Sequence, residues 1–265
     1  MLASELFQYI EEEVPFKLAL KDDPVGFIGP GHPEKIEVEN ALVVLDLIPG
    51  IIPDTTDADL LVCHHPPLFT PTIPTYIIHS NWDIVQGGAC DALAESLQLE
   101  VIDILESETG IGRICNTDRM GNSKRSGNSK RRGNSKKNSI STGYNLEEFL
   151  RNVSRSIPVD NINLVKGNKN TLKKVAIISG FGLNTHYIQL ASEKGVDLLL
   201  SGDLTHPGSI LARKLGITLV DATHQATEVP GLIRLCQLIG KLGIKTDYLD
   251  PGKPWEHINC QNLKV

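Results

Sequence analysis

Aromatic residues are scarce in this 265-residue chain, 5% against 40% hydrophobic residues in all, so a core must be built mainly from aliphatic side chains. Apolar runs are short: none approaches the ~20 residues that cross a bilayer, and no membrane partner is expected. The start, MLASELFQYIEEEV, is acidic and amphipathic. It lacks the basic-then-apolar order of a secretory signal. The cysteines are Cys63, Cys90, Cys115, Cys236 and Cys260, odd in number, scattered and never spaced Cys-x-x-Cys. That argues against a disulfide framework and against a cysteine zinc site, and fits reduced thiols in a cytoplasmic setting. Neither a Gly-x-Ser-x-Gly elbow nor a P-loop occurs.

Acidic side chains are missing from residues 119–137, which carry eight Lys/Arg. Taking those eight from the 26 basic residues leaves 18 against 32 acidic ones, so a net charge of −6 becomes −14 for the remainder. Such an acidic body is not a bulk-charge binder of nucleic acid. Within the basic segment GNSK recurs at 121, 127 and 133, and no apolar residue follows Met120. A stretch that buries nothing cannot offset its ordering entropy. A flexible loop over 113–145 is therefore expected, serving either as a tolerated surface insertion or as a weak tether to RNA or another polyanion.

The periodicity on either side predicts an α/β protein of two similar halves with mostly parallel sheets, 1–112 and 146–265. Residues 2–13 suit a helix. ALVVLD (41–46), LLVCH (60–64) and LEVIDIL (99–105) suit strands, with a helix over 83–98. The second half alternates strands at 174–179, 196–201, 217–222 and 246–250 with helices at 183–194, 206–215 and 228–242. Short apolar runs separated by helical stretches are the mark of buried parallel strands.

Chemistry-bearing residues gather where strands end. LLVC leads into His64, His65, Pro66 and Pro67. The carboxyl ends of parallel strands are where open α/β sheets place ligands, and imidazole is a frequent metal ligand. Adjacent side chains on a regular strand face opposite ways, so two neighbouring ligands need irregular backbone, which the prolines favour, or two different metals. A pair of surface loop histidines is the plainer alternative. His224 and Glu228 follow the strand ITLVDA at a spacing that puts both on one helical face. They fit either a ligand pair or a helix start with Thr227 as cap. His79 and Asp83 sit before the helix at 83–98, where Asp83 is a ligand or a cap. Asp203 orients a ligand histidine from behind or caps the helix after it. His206 precedes Pro207 and suits a helix start. Gly180 and Gly182 form a tight turn or a phosphate-receiving helix N-terminus. Three imidazoles and two carboxylates together suit a dinuclear centre better than a single structural zinc.

The stretches LLVCHHPPLF, HSNWD followed by GGACDALAESL, GFG, VDLLLSGD and GITLVDATHQATEVPGL resemble, in order and spacing, the GTP cyclohydrolase I type 2 homologues, also called NGG-one-interacting-factor-three-like proteins. The likeness covers nearly all of the chain outside roughly 113–145. It implies two similar α/β halves with a dinuclear metal site between them, and a toroidal homohexamer. The implied ligands are His65 and Asp83 for one metal, His64 and His224 for the other, and Glu228 bridging, with His79 close by. Several positions depart from the pattern. Pro67 and Trp82 replace apolar or small residues, Pro24 replaces an Asn, and the run after Gly202-Asp203 lacks the family's His-Asp pair. The intervening domain of longer members is absent.

Two divalent cations, whether zinc, iron, manganese or nickel, would lower the pKa of water toward ~7 and offset developing negative charge. A metal-dependent hydrolase acting on a nucleotide-like small molecule is the expectation, with His79 moving the proton. The nucleotide comes from the resemblance alone. A ring-shaped binding or regulatory protein with structural metals, touching nucleic acid through the basic loop, is the alternative. A metal-handling protein with exchangeable ions is the third.

Overall fold

The computed structural model describes residues 1–50, 57–117, 144–256 and 258. The chain divides into two compact units, each assembled from separated stretches: Met1–Glu13, Pro24–His79 and Cys236–Val265 form unit one, and Val14–Asp23 with Ser80–Leu235 form unit two. The division therefore differs from halves of 1–112 and 146–265. The strand at Arg113–Asn116 pairs with the strand at Lys174–Phe181 and, on its other side, with the strand at Glu100–Ile104, and the strand at Lys245–Leu249 pairs with one near the start of the chain.

Unit one holds α1 (Ala3–Glu13) and the strands β1 (Gly26–Ile28), β2 (Asn40–Val44), β3 (Leu60–Cys63) and β4 (Thr75–Ile77). The last described strand, at Lys245–Leu249, completes a sheet ordered β1, β4, β3, β2, then that strand at the edge. All pairs are parallel except β1 with β4. β3 is buried along its whole length, which is why LLVC reads as an unbroken apolar run. The buried side chains of α1 recur at Ala3, Leu6, Phe7 and Ile10, a helical spacing. Phe7 stacks on Tyr76 of β4 with ring centroids 4.4 Å apart.

Unit two contains α2 (Ser80–Ile84), α3 (Ala89–Ser96), β5 (Glu100–Ile104), β6 (Arg113–Asn116), β7 (Tyr144–Asn145), α4 (Leu146–Ser156), β8 (Asn163–Val165), β9 (Thr171–Leu172), β10 (Lys174–Phe181), α5 (Thr185–Glu193), β11 (Leu198–Gly202), α6 (His206–Leu215) and β12 (Thr218–Asp221). The helix α7 (His224–Gly240) follows, and β13 (Lys245–Leu249) is the edge strand of unit one. The six-stranded sheet runs β5, β6, β10, β11, β12, β8. Its centre, β10 to β12, is parallel, and its margins are antiparallel. Alternate residues of the central strands enter two separate cores. Val175, Ile177, Leu198, Leu200 and Val220 pack with Leu93, Phe149 and Val153, whereas Ala176, Ile178, Leu199 and Leu219 pack with Ile188, Ala191 and Ala212. With both faces covered, the period of two is hidden in the sequence.

Several elements differ from expectation. The helix over 83–98 is two helices, because Gly87 (φ +82°) and Gly88 interrupt it. Residues 113–116 are a strand rather than loop, since Arg113 is buried and its guanidinium holds Asp91 at 2.7 Å together with four backbone carbonyls. Tyr144 and Asn145 likewise form a short strand. The GNSK repeats lie outside the described residues. α7 starts four residues before 228, so Pro230 falls inside the helix, where it removes one intrahelical N–H. Among the described residues no helix is long and apolar enough to cross a membrane.

Candidate functional site

In unit one the strand register builds the candidate site. Cys63 pairs with Val44 on one side and Ile77 on the other, so Asp46, His65 and His79 fall in one row at the carboxyl ends of β2, β3 and β4. Both residues stay hydrogen-bonded on the β2 side: the His64 and His65 N–H groups donate to the Val44 and Leu45 carbonyls, both at 3.0 Å. The chain nonetheless bends at His64 and His65, the irregularity that two neighbouring donors require. Ring centroids lie 5.1 Å apart for His64 and His65, 5.2 Å for His64 and His79, and 5.4 Å for His65 and His79. One nitrogen from each ring lies within 4.8 Å of the others.

Hydrogen bonds fix which nitrogens face inward. His64 Nδ1 lies 2.8 Å from the Ile78 carbonyl, and His65 Nδ1 2.8 Å from Asp46 Oδ1. A carbonyl or an ionised carboxylate only accepts, so each Nδ1 carries the proton and each Nε2 keeps its lone pair. The Cys63 thiol is pushed up to about 12 by burial and then by the nearby Asp46 charge. It therefore stays protonated and donates to the His65 carbonyl at 3.0 Å.

In unit two the site forms at the ends of β10, β11 and β12. His224 Nδ1 meets Asp203 Oδ2 at 2.5 Å, and His224 Nε2 meets Glu228 Oε1 at 3.1 Å. Burial by itself would lower the His224 pKa, but hydrogen bonds to Asp203 and Glu228 and their charges outweigh it and raise it to about 10. Asp203 thus backs the histidine. It does not cap α6, which Thr205 does by accepting from the Gly208 N–H at 3.1 Å. The geometry costs backbone strain: Asp203 has φ +58° and Thr223 φ +66°, the latter unusual for a β-branched residue. Thr223 serves as the α7 cap, its Oγ1 accepting from the Ala226 N–H at 3.2 Å. Thr227 instead lies within the first turn and accepts from the Gly180 N–H at 3.0 Å.

Glu228 is buried. A carboxylate oxygen of Asp83 lies within 4.8 Å of one of Glu228. Trp82 fixes this approach, because its Nε1 donates to the Gly231 carbonyl of α7 at 3.2 Å and so ties α2 to α7. Asp83 also helps raise the Cys90 thiol to about 11, after burial. Gly180 backs onto the same carboxylate at φ +74°, and a Cβ there would collide with Glu228 Oε1 and lie 3.0 Å from His224 Nε2. The GFG turn is thus neither a helix N-terminus nor a phosphate cradle: β10 runs through Phe181, and α5 begins later under an Asn184 cap.

These residues fit divalent cations. Each unit gathers nitrogen or carboxylate donors, with histidine orientation fixed from behind by Ile78, Asp46 or Asp203. Such backing is what metal-ligating histidines need. Asp46 escaped the sequence reading of the site, and Gly180 entered it as a turn or phosphate-receiving glycine and not as the neighbour of Glu228. Asp46 ends the ALVVLD strand, and only the register reveals its partner.

Comparison with known proteins agrees over nearly the whole chain. The family model Duf34/NIF3 (NGG1p interacting factor 3) matches residues 1–75 and 71–248. The chain is 39% identical over 251 residues to a GTP cyclohydrolase 1 type 2 homolog of Methanothermobacter thermautotrophicus, covering 94% of this chain and 93% of the relative. Reduced HcgD from Methanocaldococcus jannaschii superposes with a TM-score of 0.76 at 30% identity, over 94% of this chain and 98% of that one. A Bacillus cereus protein related to NIF3 shares the fold, with a TM-score of 0.70 at 17% identity over 97% and 99% of the two chains. The chain belongs to the Duf34/NIF3 family.

Proposed function

We propose that the protein binds two divalent cations through His64, His65, Asp83, His224 and Glu228 and hydrolyses a nucleotide-like small molecule. The observation that carries this reading is the set of proton-bearing Nδ1 atoms on His64, His65 and His224, each held by an acceptor that turns Nε2 toward other donors. In the proposal His65 and Asp83 would hold one cation and His64 and His224 the other, with Glu228 available to both. Divalent cations supply Lewis acidity and water activated near neutral pH. The chain's own part is orientation and proton handling. Asp46 and Asp203 keep their histidines in one tautomer, Gly180 leaves room for the Glu228 carboxylate, and His79, beside His64 and His65, takes or gives the proton at its ring. The nucleotide-like substrate is supported by the name of the Methanothermobacter relative, a GTP cyclohydrolase 1 type 2 homolog. A toroidal homohexamer in the cytoplasm completes the proposal.

Elemental mass spectrometry of untagged protein, prepared without chelators, tests it. About two equivalents of zinc, iron, manganese or nickel per chain are expected, with at least one lost in Glu228→Ala. Protein that holds no metal even after reconstitution would sink the reading.

A second reading, a binding or regulatory protein with structural metals, is favoured by the GNSK segment, whose eight Lys/Arg stand without an acid over 119–137.

A further inference from the structure

We propose that Asp46 is a positioning residue for cation binding, acting through His65. The inference rests on the metal-binding reading above. Asp46 lies two residues past the end of β2, and the β2 to β3 register sets it opposite His65. Its Oδ1 takes the His65 Nδ1 proton at 2.8 Å. The His65 N–H is held in turn by the Leu45 carbonyl, and the His65 carbonyl by the Cys63 thiol. Backbone and ring are therefore held by different partners, and Asp46 sets the ring's tautomer. His64 differs, because its Nδ1 leans on the Ile78 carbonyl, a neutral acceptor that no side-chain substitution removes. A negative carboxylate behind an imidazole raises the basicity of the far nitrogen, which a peptide carbonyl does less. His65 is accordingly the stronger donor of the adjacent pair, and Asp46 makes it so. Asp46 is half-exposed, with 47% of its side chain accessible, so its role in folding is small.

The test is a double-mutant cycle on the full chain, with Co2+ as probe and affinity read by chelator competition. Asp46→Ala should weaken Co2+ binding about 10–100-fold, and Asp46→Asn, which keeps an acceptor oxygen, should recover part of the loss. In a His65→Ala background, Asp46→Ala should add less than about a twofold change, because the residue through which it acts is gone. In the Cu2+-loaded protein, electron spin echo envelope modulation of the remote imidazole nitrogen should shift in Asp46→Ala. An Asp46→Ala affinity within about twofold of wild type, or an equal loss in both backgrounds, overturns the assignment. Wild-type protein that binds no Co2+ overturns the metal reading itself, and the role of Asp46 with it.

Discussion

Asp197 keeps a carboxylate in near-complete burial, with 6% of its side chain exposed. Burial alone would raise its pKa. The Lys169 ammonium at 2.5 Å, the Lys173 and Lys174 N–H groups at 2.8 and 3.1 Å, and the Lys169 charge outweigh burial and lower it. A carboxylate with a folded pKa below its unfolded value contributes stability above the unfolded value and loses it as pH falls through the folded one. Asp197→Asn should therefore cost about 1–3 kcal/mol at neutral pH. The gap to wild type should narrow as pH falls below ~4, which urea unfolding across a pH series reads directly. Asp197 was not legible as a structural residue, because its partners come from a different stretch of chain. The candidate ligands were legible, because a doubled histidine at a strand end and a His-x-x-x-Glu pair are chemistry written locally. Asp46 was not, since its meaning lies in the neighbour across β2 and β3.

Elements followed the same division between local and distant causes. α6 and the central strands β10 to β12 could be read from short apolar runs and helical spacing alone. The antiparallel β6 could not, because it is four residues long and abuts the basic segment. What makes β6 a strand is the partners β5 and β10 on either side, and a buried Arg113 clamped to Asp91. Arg113→Met should destabilise the protein by about 3–5 kcal/mol, because it leaves Asp91 and the carbonyls of Ile84, Val85, Gly110 and Gly112 without their shared donor. A lowered midpoint with unchanged slope in urea would register the loss. A midpoint matching wild type would show the ion pair to be dispensable. The break between α2 and α3 was written plainly as Gly87-Gly88, but helical periodicity on both sides masked it. The early start of α7 was masked by Pro230, which belongs near a helix start in most sequences.

At the scale of the whole molecule, the charge is split between an acidic body and one basic segment. If that segment holds a polyanion, the protein should bind single-stranded RNA with a log–log salt slope no steeper than about −6 for eight cationic side chains. Removal of 119–139 should abolish the binding. Retention in the deleted protein would assign any polyanion contact elsewhere.

The interleaving of the two units also orders events in time. The strands that present Asp46, His64, His65 and His79 leave the ribosome early, yet their sheet is finished only by β13, at Lys245–Leu249, which pairs with β2. Through the synthesis of Ser80–Leu235, the larger stretch of unit two, the outer edge of β2 is an open row of peptide groups. Such an edge recruits any extended chain that reaches it. The nascent protein thus carries its histidine cluster on an unfinished sheet for most of its birth, and the last described strand is the one that closes it.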